Sequence, residues 1–214
     1  LQFNDNFLTS QTVSNSWISS LTNLNSLQLE LNSLGAIPVL SKLSSLQTLN
    51  LFKNKIQSVK SGDLSGLSAL TSLNLRQNYL GDIDNSTFLD VPSLFSLDIR
   101  SNNLVTPRAF WFQNLTALTR FYADSNPWNC DCNAIPFYEL LKLRPPMYRA
   151  IKDSITCQDP SQYRSSYLDD LTYQQLQAYG TCNYPTVEPT LAPGPQPTDA
   201  PNQEEIILCQ PCQV

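Results

Sequence analysis

Apolar residues recur along most of the chain in one fixed frame. Leu24-x-x-Leu27-x-Leu29-x-x-Asn32-x-Leu34 is followed by Leu46-x-x-Leu49-x-Leu51-x-x-Asn54-x-Ile56. Leu70, Leu73, Leu75, Asn78 and Leu80 make the next unit, and Leu94, Leu97, Ile99, Asn102 and Leu104 the one after. Leu118, Phe121, Ala123, Asn126 and Trp128 form a modified last unit, while Leu1, Phe3, Asn6 and Leu8 are the remnant of one at the start. In each frame the two apolar residues that flank a single position, such as Leu73 and Leu75, fall on the same side of a short strand, because strand side chains alternate. They face a core. The asparagine that follows suits a buried bend, since its amide offers two donors and an acceptor to backbone groups left unpaired there.

Asn6, Asn32, Asn54, Asn78, Asn102 and Asn126 are 26, 22, 24, 24 and 24 residues apart, within the period of roughly 20 to 29 residues that marks leucine-rich repeats. About six units, the first truncated, therefore occupy residues 1–126. Stacked, their asparagines should form a ladder of six. Phe88, Val91 and Leu94, or Phe112, Leu115 and Leu118, or Leu64, Leu67 and Leu70 fill the convex side from the returning limbs. The expected fold class is an α/β solenoid: a leucine-rich-repeat horseshoe whose concave parallel β-sheet is exposed, each unit touching only its neighbours.

The strand positions that do not serve the core form columns across that sheet. The central one is Gln2, Gln28, Asn50, Asn74, Asp98 and Tyr122; beside it run Asn4, Glu30, Phe52, Arg76, Arg100 and Asp124, then Asp5, Leu31, Lys53, Gln77, Ser101 and Ser125. A merely solvated sheet would carry small or charged residues, so Leu31, Phe52 and Tyr122 point to a binding surface. The candidate ligand-binding residues are Glu30, Asn50, Phe52, Asn74, Arg76, Asp98, Arg100, Tyr122 and Asp124. Arg76 and Arg100 are neighbours in one column, where like charges disfavour each other. Two accounts are open: Asp98, Asp124 and Glu30 neutralise them within the face, or the pair stays partly unmatched and grips an acidic group of the ligand. An inert face, with the real contact on the cap or the convex side, is the plain alternative.

Composition removes other functions. The 214-residue chain has net charge −5 and no histidine. No stripe of Lys or Arg supplies the phosphate neutralisation that nucleic acid requires, and the usual general base and imidazole metal ligand are missing. Paired carboxylates for hydrolysis exist as Asp98 and Asp124, but an open sheet has no water-excluding pocket to raise one pKa. No catalytic residue, metal or cofactor is expected, and the chain is read as a non-enzyme. No apolar stretch reaches the roughly 18 residues of a membrane span. Leu1 lacks a preceding signal region, so the chain reads as a mature or trimmed product.

After the repeats come Asn126-Pro127-Trp128-Asn129-Cys130-Asp131-Cys132, then Cys157 and Cys182. Four cysteines allow three pairings, and spacing does not choose. A four-cysteine zinc site fits poorly, because Cys130 and Cys132 stand one residue apart where tetrahedral sites favour C-x2-C. PxxCxC followed by two further cysteines resembles the C-terminal flanking module of extracellular leucine-rich-repeat proteins, including variable lymphocyte receptors and Toll-like receptor ectodomains. The resemblance spans residues 1–182 and implies the pairs Cys130–Cys157 and Cys132–Cys182 in a cap over 127–182. It implies an extracellular, immune-type receptor module for a protein or cell-surface glycan; the alternative is a structural or developmental secreted ligand that works by being bound. Disulfides place such a protein outside the reducing cytosol, and the sequons at Asn85 and Asn114 agree. Within the cap, Asp131 or Asn133 can start a helix carrying Phe137, Leu140 and Leu141 that Pro145-Pro146 ends, and Thr172-x-x-Gln175 reads as a capping box with Gly180 as terminator. The cysteine-rich N-terminal cap that precedes such repeats in the family is missing from the sequence, a departure with two readings: upstream sequence has been removed, or Trp17, Ile18 and their neighbours in the long first unit cover that end.

Residues 183–214 form a Pro/Thr-rich stalk and a Cys-bearing tail, too poor in apolar residues to pack. Cys209-Gln-Pro-Cys212 lacks the helix start and βαβ setting of a redox motif; a local or interchain disulfide is the expectation, and the latter would raise avidity without new contacts. On non-reducing gels the full chain is expected to run as multimers that a chain ending at Asn183 does not form. Monomers from both would remove the idea.

Overall fold

A computed structural model describes residues 1–13, 16–143, 149 and 154–180. Pro145-Pro146, Cys182, Cys209, Cys212 and the expected stalk lie outside the described residues, as does the side chain of Trp17.

Short helices α1 (Ser10–Val13) and α2 (Ser16–Ser19) precede strands β1 (Ser26–Gln28), β2 (Thr48–Asn50), β3 (Ser58–Val59), β4 (Ser72–Asn74), β5 (Asp82–Ile83), β6 (Ser96–Asp98) and β7 (Arg120–Tyr122). Strands β8 (Trp128–Asn129), helix α3 (Ile135–Leu143), strand β9 (Cys157–Asp159) and helix α4 (Tyr173–Gln177) build the cap. Five strands form one parallel sheet in the order β1-β2-β4-β6-β7. Their register is set by the repeat itself, with Leu27, Leu49, Leu73, Leu97 and Phe121 side by side. Gln2 adds an isolated parallel bridge to Gln28. On the returning limbs β3 and β5 pair through Val59 and Ile83. The sequence frame and the sheet agree: this is a leucine-rich-repeat solenoid with a concave parallel sheet.

From Leu27 onward every apolar position of the frame is buried, while Phe3, Leu8 and Leu24 of the first coils are partly buried against the same core. Leu73 and Leu75 are 1% and 0% exposed, and the returning-limb residues Leu64, Leu67, Leu70, Phe88, Val91, Leu94, Phe112, Leu115 and Leu118 join them in a single cluster. Burying a leucine side chain contributes roughly 1.5–3 kcal/mol, so each unit is held by what it shares with its neighbours. Polar groups inside the coil are paired: Thr87 Oγ1 donates to the Val59 carbonyl at 3.1 Å and Trp111 Nε1 to the Ile83 carbonyl at 3.0 Å. In the first unit Ile18 is buried with Val13 and closes part of the N-terminal end, while Leu1 and Phe7 stay exposed.

The bend after each strand differs from the expectation in one respect. Asp5, Leu31, Lys53, Gln77, Ser101 and Ser125, read as a third column of strand residues, have φ between 54° and 60°. They occupy the left-handed region, which non-glycine residues adopt uncommonly. Backbone pairing still reaches them, as in Gln77 N–H to the Arg100 carbonyl at 2.9 Å, but they are corner residues rather than part of the flat face. At the five corners from Leu31 to Ser125 the asparagine one residue later bonds across coils and holds the conformation.

That asparagine works between coils. Asn78 Nδ2 donates to the Leu75 carbonyl of its own coil at 2.9 Å and to the Leu51 carbonyl of the preceding coil at 3.0 Å, and its Oδ1 accepts the Ile56 N–H at 3.0 Å. Asn54, Asn102 and Asn126 repeat the arrangement, and Asn32 follows it with Phe3 and Leu8. The buried ladder has five rungs, not six. Asn6, in the first described coil, is exposed and bonds locally, to the Asn4 carbonyl, with no earlier coil beside it among the described residues.

At the far end the cap covers the last repeat. Phe112 meets Phe121 edge-on at 5.1 Å and Phe137 of α3 at 5.2 Å. Ser154 Oγ donates to the Phe121 carbonyl at 3.0 Å, occupying an acceptor on the edge strand that would otherwise invite another chain. A disulfide joins Cys130 to Cys157, whose strands β8 and β9 are paired. Cys132 is also disulfide-bonded; its implied partner, Cys182, lies outside the described residues. Asp131 caps a single 3-10 turn, Cys132–Ala134, by accepting the Asn133 N–H, and α3 follows directly. Thr172 and Gln175 form the reciprocal capping box of α4, and Gly180 lies beyond its end with φ of 100°.

The ladder predicts a positional contrast. Asn78→Ala leaves two carbonyls and one N–H without their partner, and should cost about 2–4 kcal/mol in urea denaturation. Asn6→Ala should change stability by under about 0.5 kcal/mol. Equal effects would contradict the intercoil role.

Candidate functional site: the concave face

The residues that alternate with the buried pairs line the exposed side of the sheet. Gln28, Asn50, Asn74, Asp98 and Tyr122 stand in register across five strands, and Glu30, Phe52, Arg76, Arg100 and Asp124 follow two positions later. A further column was not among the candidates: Ser26, Thr48, Ser72, Ser96 and Arg120, paired in the same register. Period-two alternation backward from Leu27 was the signal for it. This column is small and hydroxylated until Arg120.

Asn50, Asn74 and Asp98 have backbone duties. Each side chain accepts the N–H two residues on, from Phe52 at 3.2 Å, Arg76 at 3.0 Å and Arg100 at 3.1 Å. Continuing the parallel ladder would send those N–H groups to the Leu29, Leu51 and Leu75 carbonyls, but the ladder asparagines occupy these. An aspartate or asparagine in the central column replaces the lost acceptor. Asn50 Nδ2 also donates to Gln28 Oε1 at 2.9 Å, and Gln28 Nε2 to Ser26 Oγ at 2.9 Å.

The two arginines of the neighbouring column are satisfied differently. Arg100 pairs with Asp98 of its own strand, Nη2 to Oδ2 at 2.6 Å and Nε to Oδ1 at 3.0 Å. The hydrogen bonds that the Arg100 guanidinium donates to Asp98 hold it above its ordinary pKa, with the charges of Asp98 and Asp124 adding to the effect. The same guanidinium lies over the Tyr122 ring at 4.8 Å. Arg76 has no ion pair; it lies over Phe52 at 5.8 Å, and its Nε is buried without a hydrogen-bond partner. A third stack places Arg120 over Phe95 at 5.2 Å. Among the described residues the ion pairs are Asp98–Arg100 and Asp82–Arg108, so Arg76, Arg120, Glu30 and Asp124 enter none. The two arginines therefore differ: Asp98 neutralises Arg100 within the face, whereas Arg76 enters no ion pair among the described residues.

The structure thus gathers all nine candidate residues on one face and divides them by role. Tyr122 and Phe95 are 39% and 41% exposed, large apolar surface with no core to serve. Leu31, offered as a third apolar contact, sits at a corner with φ of 60°. Asn85 and Asn114 are exposed on the returning limbs, away from the sheet. Among the described residues no three His, Cys, Asp or Glu side chains gather as a metal would require, and no helix is long and apolar enough to cross a membrane.

The difference between the arginines is measurable. Arg100→Ala leaves Asp98, whose side chain is 13% exposed, without its partner; allowing for solvent at the arginine end, stability should fall by about 1 kcal/mol. Arg76→Ala removes a buried unpaired donor and should change stability by under about 0.5 kcal/mol in either direction. Chemical denaturation of both variants decides, and a larger loss at Arg76 would refute the assignment.

A leucine-rich-repeat family model matches residues 39–80 and 68–127. No curated protein matches the sequence. A chain of the octameric complex of Latrophilin 3 (Lec, Olf), Unc5D (Ig, Ig2, TSP1) and FLRT2 (LRR) is similar at 26% identity and a TM-score of 0.68, covering 82% of this chain and 53% of its own. Human 5T4 (Wnt-activated inhibitory factor 1, Trophoblast glycoprotein) is similar at 26% identity and a TM-score of 0.60, covering 72% of this chain and 58% of its own. The chain spans little more than half the length of either. Repeat frame, strand topology and structural likeness meet in one statement: the chain is a leucine-rich-repeat solenoid.

Proposed function

We propose that the chain is an extracellular recognition module that binds a protein partner on its concave face. The observation that carries this reading is the pair of arginine-aromatic contacts there, Phe52–Arg76 and Tyr122–Arg100, beside which Arg120 of the same sheet lies over Phe95, one residue before β6. Stacked arginines and tyrosines are the residue types that dominate binding hot spots, because they combine apolar area with directed donors at small entropic cost. The FLRT2 likeness supports a protein rather than a glycan as ligand, since that structure is of a complex with Latrophilin 3 and Unc5D.

The cap cysteines and the Thr/Pro-rich tail support an immune-type receptor, and the disulfide Cys130–Cys157 supports an oxidising compartment. The likeness to 5T4, named a Wnt-activated inhibitory factor, favours the second reading, a structural or developmental secreted ligand. Carbohydrate at Asn85 and Asn114 would sit on the returning limbs and leave the sheet clear, and covalent multimers through Cys209 and Cys212 would raise avidity.

Two experiments test the proposal. Binding of the full chain to an array of microbial and host-cell surfaces separates the two readings by which set retains it. On the surface that binds, Phe52→Ala with Tyr122→Ala, and separately Arg76→Ala with Arg100→Ala, should each weaken binding by at least about tenfold, the effect of losing roughly 1.4 kcal/mol. Wild-type binding by both folded variants would move the site off the concave face.

A further inference from the structure

We infer that the concave face selects a dipolar segment of a protein partner: a carboxylate received by Arg76 and a cationic side chain received by Glu30, with an apolar group between them on Phe52. The inference rests on the concave-face reading and specifies its ligand. Its basis is a pair of exceptions. Among the described residues the buried side-chain polar atoms without a hydrogen-bond partner are Glu30 Oε2 and Arg76 Nε. Both belong to one column of the concave face, two strands apart, with Phe52 on the strand between. Neighbouring polar groups are satisfied within the face, as Gln28 with Asn50 and Asp98 with Arg100 show.

Glu30 and Arg76 do not neutralise each other. Strands lie about 4.8 Å apart, so the two column positions are separated by roughly 10 Å, and Phe52 fills the interval. A buried polar atom without a partner is unfavourable; both residues are only half-buried, and a ligand toward which the two side chains turn removes two such penalties at once. Arg76 lies over the Phe52 ring, 5.8 Å from its centroid, and the planar fork of N–H donors on a guanidinium is the group that a carboxylate meets with two parallel hydrogen bonds. Glu30 then decides the class of ligand. A sulfated or otherwise polyanionic glycan would satisfy Arg76 but meet repulsion from Glu30 and offer it no donor. A protein segment carries both signs. Because Arg76 leans over Phe52, the roughly 10 Å between the column positions is an upper bound on the spacing, so acid and base are up to about three residues apart in an extended segment and up to about seven in a helix.

The test uses a displayed library of short random peptides, linear and helix-stabilised, selected on the full-length protein. Enriched peptides should pair Asp or Glu with Lys or Arg within one of those spacings. Arg76→Gln and Glu30→Gln should each weaken them by roughly tenfold, with unchanged melting curves, and selection on the Arg76→Glu variant should return dibasic peptides instead. Heparin fragments serve as the polyanion arm and should bind without preference for Arg76. The inference is overturned if no peptide depends on both residues, or if heparin depends on Arg76 more than the peptides do. Should selected peptides ignore both charges yet lose binding in the Phe52→Ala, Tyr122→Ala double variant, the charge pairing fails while the concave site stands. Peptides indifferent to all four substitutions remove both.

Discussion

The asparagine amide that bonds one coil to the coil before it is the interaction on which the rest of the molecule depends. Leucine burial supplies most of the favourable free energy, but apolar contact has no direction. The amide has. By holding the Leu51 and Leu75 carbonyls and the Ile56 N–H, Asn78 fixes where the strand ends, how sharply it turns and which neighbour it turns beside. The left-handed residues at five corners, Leu31 to Ser125, each stand directly before such an asparagine; Asp5 adopts the same conformation without one. The central column follows from the same constraint, its Asn50, Asn74 and Asp98 replacing acceptors that the ladder has taken.

What the sequence made legible divides along the same line. Positions repeated in every unit announce themselves by recurrence, and the inward leucines, the returning limb and the ladder are all of this kind. Asn6 was misjudged because its identity is that of the other asparagines while its surroundings are not; a residue that works through its neighbour's backbone cannot be read without the neighbour. Leu31 and Gln77 were placed on the sheet by counting, yet the alternation rule lapses where φ turns positive. Ser26, Thr48, Ser72 and Ser96 escaped notice because small hydroxyl residues carry no chemical signal of their own.

The candidate site shows a second limit. Arg76 and Arg100 occupy equivalent positions, and a column of residue types treats them alike. Their fates are set by the residue two places earlier: an aspartate at Asp98 closes a local ion pair, whereas Asn74 offers an acceptor to backbone and no charge. One carboxylate oxygen in place of an amide nitrogen separates an arginine that is internally satisfied from one that is open. That difference was present in the sequence, but its meaning depended on knowing that the central column bonds to the following N–H.

This double use of the central column has a consequence for anyone who would retarget the scaffold. Randomising every outward position would place alanine, valine or lysine at 50, 74 and 98, and most members of such a collection would carry a frayed corner before any was tested for affinity. Diversity belongs at 30, 52, 76 and 124, and at 26, 48, 72, 96 and 120, with asparagine or aspartate retained between. The usable palette is therefore two stripes flanking a fixed spine.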